Sequence, residues 1–222
     1  MDSFINGFFN LQVYAEVFPY LLRGLWTTIW LSAIVIPVGA ILGLLLAIGM
    51  TQSRSRIVYW SIVVYVDFFR AFPPLVLLIL VYFGWPFLGV ELDKLTAVVI
   101  AFGLNNASYY AEVFRAGLEG VSVGQMEAAS STGLNRRKSL MYVVIPQAVR
   151  NVLPDLIGNS IEVVKLTTVA SVVALPELLR AARDAQSIVY NPSPIMLAAL
   201  MYVALLWPVT RWLGKMENKR SR

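Results

Sequence analysis

Long apolar runs constrain the fold of this chain more than any other feature of its sequence. A helix that crosses a lipid bilayer needs about 20 mostly apolar residues. Runs of this kind occur at 21–50, 57–84, 95–116, 149–174 and 194–213. Because lipid offers no hydrogen bonds to a polypeptide backbone, each run is predicted to be helical, with a kink at Pro73-Pro74 in the second.

The composition agrees with a membrane protein. Of the 222 residues, 58% are hydrophobic and 14% are charged, whereas soluble domains carry about 25% charged residues. The sequence therefore predicts an all-α integral membrane protein with five transmembrane helices, forming one transmembrane domain over residues 1–222.

The basic residues predict the orientation of the five spans. Positively charged loops stay in the cytoplasm, and eleven of the 18 basic residues fall on one side: Arg54, Arg56, Arg136, Arg137, Lys138, Arg150, Arg211, Lys215, Lys219, Arg220 and Arg222. The N-terminus is therefore predicted outside and the C-terminus inside. The net charge of +5 forms no stripe that could follow phosphates, so we expect contact with lipid and not with nucleic acid.

The absence of two reactive residue types limits the chemistry that this chain can perform. The chain contains no Cys and no His, which removes thiolate chemistry, the commonest metal ligand and the usual general base near neutral pH. We predict no metal site and no catalytic residue. An intramembrane enzyme is disfavoured for the same reason.

The longest predicted cytoplasmic connection, residues 117–148, should carry helices of its own, because long unstructured loops are uncommon. Its sequence predicts a short helix over 126–132 that stops at Gly133, a frequent helix terminator. A second helix is predicted over 136–145, ending at Pro146. Glu127, Ala128 and Ala129 would give the first helix a small surface with one fixed charge, suited to docking into a partner.

The spacing of this loop resembles the signature of permease subunits of ATP-binding-cassette (ABC) importers. That signature is a cytoplasmic Glu-Ala-Ala followed by a glycine and, further on, a hydrophobic residue with a proline, matched here by Glu127, Ala128, Ala129, Gly133 and Ile145-Pro146. The similarity extends over nearly the whole chain and is strongest to the branch that imports polar amino acids, opines and related zwitterions. Other matching stretches begin at Gly24, Phe69, Ala107, Gly158, Lys165 and Glu177. Leu166 and Thr168 depart from the residues frequent in that branch.

The resemblance implies a type I ABC importer permease in a bacterial inner membrane. It implies four kinds of partner: a dimer of ATPase subunits, an extracytoplasmic solute-binding protein, a second permease that is either identical or a similar sister, and lipid. Coupling to the ATPase would involve Gly124, Glu127, Ala128, Ala129, Gly133, Ile145 and Pro146. The chain has no G-x-x-x-x-G-K-[ST] loop, so no cofactor is expected on it, and ATP with Mg²⁺ would be used by the ATPase.

Polar residues inside the spans are candidates for contact with a solute, since they are costly in lipid. Asn105 and Ser108 share a face of the third span, and Asn159, Glu162 and Lys165 share a face of the fourth. Three structural alternatives stay open. Glu162 and Lys165 could neutralise each other, as could Glu112 and Arg115, and Arg70 beside the prolines could be an anchor or a gate element.

An alternative function is a secondary transporter driven by an ion gradient. Such transporters usually show internal repeats with matched broken helices, and no repeat is visible in this chain. A purely structural scaffold would not need Glu162 or Lys165 at membrane depth. The sequence leaves open which solute is carried.

Overall fold

A computed structural model describes residues 7–220 of the chain, with side chains up to residue 217. The regular elements in this range are all helical, as predicted. The α-helices are α1 Leu11–Gln52, α2 Arg56–Ala71, α3 Pro74–Ile79, α4 Lys94–Glu119, α5 Val123–Ser131, α6 Arg136–Ser139, α7 Ile145–Asn151, α8 Leu153–Leu166, α9 Leu178–Val189 and α10 Ser193–Arg220. Wider or tighter helical turns extend α3, α6 and α8, at Leu80–Gly84, Leu140–Val144 and Thr167–Val173.

Three helical stretches among the described residues are long and apolar enough to cross a membrane: Leu11–Gln52, Leu153–Val173 and Ser193–Glu217. A fourth qualifies when Arg56–Ala71 and Pro74–Leu88, which are bent at the break between them, are taken as one span. Helix α4 has 26 residues and is long enough, but Asn105 and Asn106 reduce its apolar character. The five-span topology therefore remains a prediction.

The break after α2 has a direct cause in the sequence. Proline has no N–H and restricts the preceding residue to extended conformations. Phe72 accordingly adopts φ −85° and ψ 125°, and α2 ends at Ala71. At its other end, the Ser55 hydroxyl oxygen accepts a hydrogen bond from the Val58 N–H.

The chain folds into two compact units. Among the described residues, the first comprises those up to Val35, residues 74–101 and those from Ser160 onward. Its described core joins the start of α1 to α9 and α10, and its buried members are Val17, Leu21, Leu178, Ala182, Ala185, Leu197, Ala198 and Met201. Gly24 allows a close approach here, since an added Cβ would lie 2.8 Å from the Ala181 Cβ.

The second unit comprises residues 36–73 and 102–159. Met50, Val66 and Ala111 form a buried cluster within it. A Cβ added at Gly43 would lie 2.5 Å from the Tyr110 Cβ, so the end of α1 and α4 touch almost backbone to backbone.

Candidate functional site

The short helix predicted within residues 117–148 is present as α5, which begins one turn earlier than expected, at Val123. It ends as its sequence indicates. Gly133 has φ +86°, a conformation that favours glycine. The Gly133 N–H donates to the Ser130 carbonyl at 3.0 Å.

Helix α5 has an exposed face and a buried face. Gly124, Glu127, Ala128 and Ser131 follow each other at helical spacing and are all exposed. No atom lies within 4 Å of a Cβ built at Gly124, so the surface around it is open. Ala129 is buried. Of the three residues in the Glu-Ala-Ala motif, two are therefore available to a partner and the third packs inside the second unit.

Two side-chain hydrogen bonds fix the connection, one between α7 and α5 and one to the end of α1. The Gln147 amide donates to the Gln125 side-chain oxygen at 3.2 Å, and the Arg136 guanidinium donates to the Gln52 side-chain oxygen at 3.1 Å. Ile145 is half-buried and Pro146 is exposed at the start of α7. An open groove of about 520 Å³ runs along α5, with Leu118, Met126 and Val144 among its lining residues.

The second helix of the connection differs from the prediction. It was expected to end at Pro146, but α7 continues to Asn151. Proline is tolerated in the first turn of a helix because the N–H there needs no intrahelical partner. The wide turn Leu140–Val144 starts a new helical segment just before the proline and thereby satisfies this condition.

Asn105 and Ser108 are buried in the second unit, and their side chains donate to main-chain oxygens. The Asn105 amide donates to the Phe69 carbonyl at 2.7 Å. The Ser108 hydroxyl donates to the Asn105 carbonyl at 2.5 Å. These partners favour a structural role for both side chains.

The structure confirms that Glu112 and Arg115 pair with each other, one of the structural alternatives raised from the sequence. The Arg115 guanidinium donates to Glu112 at 2.7 Å and 3.2 Å and to Glu119 at 2.9 Å. A guanidinium nitrogen of Arg70 lies 3.9 Å from the same Glu112 carboxylate. Charges at this end of α4 are thus balanced within the second unit.

Glu162 and Lys165 also pair, with the ammonium nitrogen 2.6 Å from Oε1. The side chains of Glu162 and Lys165 are nevertheless 66% and 52% exposed in the single chain. An ion pair on the surface of a membrane-crossing helix is costly against lipid. Neighbouring Asn159 has a buried amide nitrogen without a hydrogen-bond partner among the described residues.

A second open groove, of about 510 Å³, lies beside Lys165 in the first unit. Its lining residues are Lys165, Thr168, Tyr202, Val203, Leu206, Trp207 and Thr210. Tyr202 was not singled out from the sequence, because its position beside Lys165 arises from packing between distant helices. Aromatic residues are common in membrane spans, so the residue type alone did not point to a site.

Tyr202 is held by Glu177, a fully buried carboxylate at the start of α9. This carboxylate accepts hydrogen bonds from the Leu179 and Arg180 N–H groups at 2.8 Å and 2.6 Å, and from the Tyr202 hydroxyl at 3.1 Å. Burial raises the pKa of the Glu177 carboxyl above its ordinary value, and the hydrogen bonds partly oppose the shift. Glu177 opens one of the stretches that resemble ABC permeases, but its burial was not predicted.

With helices long and apolar enough to cross a membrane, the chain is of the class of helical integral membrane proteins. The chain belongs to the family described as "Binding-protein-dependent transport system inner membrane component", whose model matches residues 39–222. The family places it in the inner membrane as a multi-pass permease of an ABC transporter, and implies an ATPase and a solute-binding protein as partners.

Individual relatives agree with this family. The chain is 35% identical to the probable amino-acid ABC transporter permease protein YckA of Bacillus subtilis, over 79% of this chain and 77% of the relative. It is 32% identical to the arginine transport system permease protein ArtQ of the same organism, over 96% and 98% of the two chains.

Solved structures show the same fold. A crystal structure of an amino acid ABC transporter with histidines superposes with a TM-score of 0.81 at 32% identity, covering 92% of this chain and 96% of that one. The inward-facing MetNI methionine ABC transporter gives a TM-score of 0.75 at 19% identity, covering 93% and 99%. At that identity the second match supports the fold alone.

Proposed function

We propose that this permease imports amino acids or amino-acid-like zwitterions and is coupled to its ATPase through the exposed face of α5. The observation that carries the coupling role is the division of α5 into two faces. Gly124, Glu127 and Ala128 are free to dock, while buried Ala129 fixes the helix to its own unit.

The other coupling residues support this arrangement. Gly133 ends α5 in a conformation that few other residues adopt without strain. Ile145 and Pro146 begin α7, the helix that carries Gln147 and its hydrogen bond to Gln125 of α5. A force on α5 would therefore reach α7 through a direct contact.

The substrate class is inferred from the relatives and from the chemistry of α8. A zwitterion needs a cation or amide donors for its carboxylate and an anion for its ammonium, and α8 carries Lys165, Asn159 and Glu162. The exposed ion pair is compatible with a water-filled path or with a second permease covering it. Asn105 and Ser108, candidates from the sequence, lie inside the second unit with main-chain partners, so we assign the solute contacts to α8.

The proposed assembly has two permeases, identical or similar, two ATPase chains inside and one binding protein outside. Each permease crosses the membrane five times, with its N-terminus outside. This chain has no catalytic site and binds no cofactor, and ATP with Mg²⁺ is used by the ATPase.

The experiment is co-purification of the full chain from its native membrane, followed by mass spectrometry of the recovered proteins and of the solute held by the external receptor. We expect a nucleotide hydrolase and an amino-acid-like solute. The competing function, a transporter driven by an ion gradient, predicts uptake into vesicles that contain the permease and an ion gradient but no ATPase. Such uptake would overturn the proposal.

A further inference from the structure

The two prolines after α2 leave two carbonyls of that helix without their usual N–H donors from the main chain. In an α-helix the N–H of each residue donates to the carbonyl four residues earlier. Pro73 and Pro74 have no N–H, so the carbonyls of Phe69 and Arg70 lose their usual donors. A carbonyl without a donor is costly in or near lipid.

Helix α4 supplies a donor for each of these carbonyls. The Asn105 amide donates to the Phe69 carbonyl at 2.7 Å, and the Tyr109 hydroxyl donates to the Arg70 carbonyl at 3.3 Å. The two donors are four residues apart and share one face of α4, in step with two consecutive acceptors of α2. The side chains of α4 therefore satisfy the two carbonyls that the prolines deprive of N–H donors in α2.

Further contacts lie on either side of this pair. The Tyr65 hydroxyl of α2 donates to the Leu104 carbonyl of α4 at 2.8 Å. The Arg70 guanidinium lies over the Tyr109 ring, 5.8 Å from its centroid. We call the five residues Tyr65, Arg70, Asn105, Tyr109 and Glu112 the α2–α4 clasp.

Helix α4 leads directly to the coupling segment. It ends at Glu119 and α5 begins at Val123. A Cβ added at Gly117 would lie 2.8 Å from the Ala148 carbonyl oxygen, so the end of α4 is packed tightly on α7. Movement of α5 and α7 would therefore be passed to α4.

We propose that Asn105 and Tyr109 are positioning residues that fix the proline-broken end of α2 to α4, so that α2 follows α4 when the ATPase moves the coupling segment. This inference rests on the proposed function. It assigns Asn105 to transmission of movement and not to solute binding.

The test uses the assembled complex in lipid vesicles, with the variants Asn105→Leu and Tyr109→Phe. Each removes one donor to a carbonyl of α2. Asn106→Leu is the matched control, because the buried Asn106 amide donates within its own helix, to the Phe102 carbonyl at 2.8 Å. A net hydrogen bond contributes about 1 kcal/mol, so we expect a roughly fivefold lower maximal uptake rate in both test variants, at unchanged KM, and near-normal uptake in the control.

A second measurement reports on the clasp itself. The chain has no Cys, so spin labels can be attached at Val64→Cys on α2 and Ala116→Cys on α4, both of which are exposed positions. With the native clasp, the distribution of distances between the labels should be narrow, and its mean should be the same with and without trapped ATP. In Asn105→Leu and Tyr109→Phe the distance distribution should broaden, or its mean should differ between the two nucleotide states.

The outcomes separate the alternatives. A raised KM in Asn105→Leu alone would show that Asn105 binds the solute and would overturn the inference. Unchanged label distances in both variants would overturn it as well, as would a distance that changes between nucleotide states in the native clasp. If the unsubstituted chain recovers no ATPase, the proposed function fails, whereas the width of the label-distance distribution in the purified chain still shows whether Asn105 and Tyr109 hold α2 to α4.

Discussion

The Tyr202 hydroxyl donates a 3.1 Å hydrogen bond to Oε2 of Glu177 and so joins α10 to the first turn of α9. Glu177 also caps α9 through two main-chain N–H groups, and the Leu178 N–H donates to the Thr28 hydroxyl of α1 at 3.2 Å. Three helices of the first unit therefore meet at the start of α9, where the buried carboxylate joins α9 to α10 and the Leu178 N–H joins α9 to α1. Tyr202 in turn lines the groove beside Lys165, so this junction positions a groove wall.

Removing the Glu177 carboxylate should destabilise the first unit. Glu177→Ala loses a helix cap and leaves the Tyr202 hydroxyl without its acceptor, for which we expect a loss of about 2 kcal/mol. Thermal unfolding of the purified protein in detergent measures the effect. Tyr202→Phe removes one of the hydrogen bonds and should cost about 1 kcal/mol. Equal stability of Glu177→Ala and the unsubstituted protein would contradict this account.

The raised pKa of Glu177 predicts a pH dependence of stability. Because its pKa is higher in the folded protein than in the unfolded chain, the folded state binds more protons between the two values. The contribution is therefore complete below the ordinary value of 4.5 and is lost as pH rises through the folded-state pKa. Unfolding measured across this range should show stability falling with rising pH, and Glu177→Gln should lessen the fall. An identical pH profile in the Gln variant would rule out Glu177 as its source.

Close helix packing predicts intolerance at Gly43. A Cβ there would lie 2.5 Å from the Tyr110 Cβ and 2.8 Å from the Ala111 nitrogen, so Gly43→Ala must push backbone apart, at a cost of about 1–3 kcal/mol. Gly214→Ala is the control, since no atom lies within 4 Å of the added Cβ and alanine favours a helix over glycine. The expected order of melting temperatures is Gly214→Ala at or above the native value and Gly43→Ala well below it.

The two faces of α5 predict two different defects. Ala128→Asp places a charge on the exposed face and should leave the protein inserted and folded, while ATP hydrolysis no longer drives uptake. Ala129→Asp places the charge at a buried position, where desolvation should reduce the yield of folded protein. Uptake, ATP hydrolysis and folded yield are measured for both. Normal uptake in Ala128→Asp would show that the exposed face of α5 does not couple ATP hydrolysis to uptake.

Gly133→Asp gives a second probe of the same segment. The left-handed backbone at φ +86° disfavours a residue with a side chain, so the end of α5 should shift and coupling should weaken. Deletion of residues 127–129 should abolish coupled uptake while the permease still inserts. Coupled transport at the native rate in either variant would contradict the proposed role of α5.

The exposed Glu162–Lys165 pair predicts a change of solute affinity. Glu162→Ala removes the anion nearest to Lys165, and in the assembled complex we expect an altered KM or an altered choice among cationic, neutral and acidic amino acids. Transport competition with unlabelled amino acids measures it. An unchanged competition profile would show that Glu162 only pairs with Lys165 and does not contact the solute.

The helices, the short helix Val123–Ser131 among them, and its end at Gly133 were predictable from the sequence, because they depend on local properties. Apolar run length, proline, glycine and the spacing of Glu127, Ala128 and Ala129 each act within a few residues. The same spacing, together with the matching stretches, was enough to recognise the family. The continuation of the helix through Pro146 was not predicted, because it depends on a wide helical turn that no residue type indicates.

Only the tertiary structure decided what the polar side chains contact. Sequence periodicity placed Asn105 on a face of α4, but its partner is a carbonyl of α2 that two prolines leave unpaired. In the same way, burial of Ala129 and the pairing of Glu177 with Tyr202 arise between segments far apart in the chain. A side chain's identity determines which bonds it can form, whereas its neighbours in space determine which of them it does form.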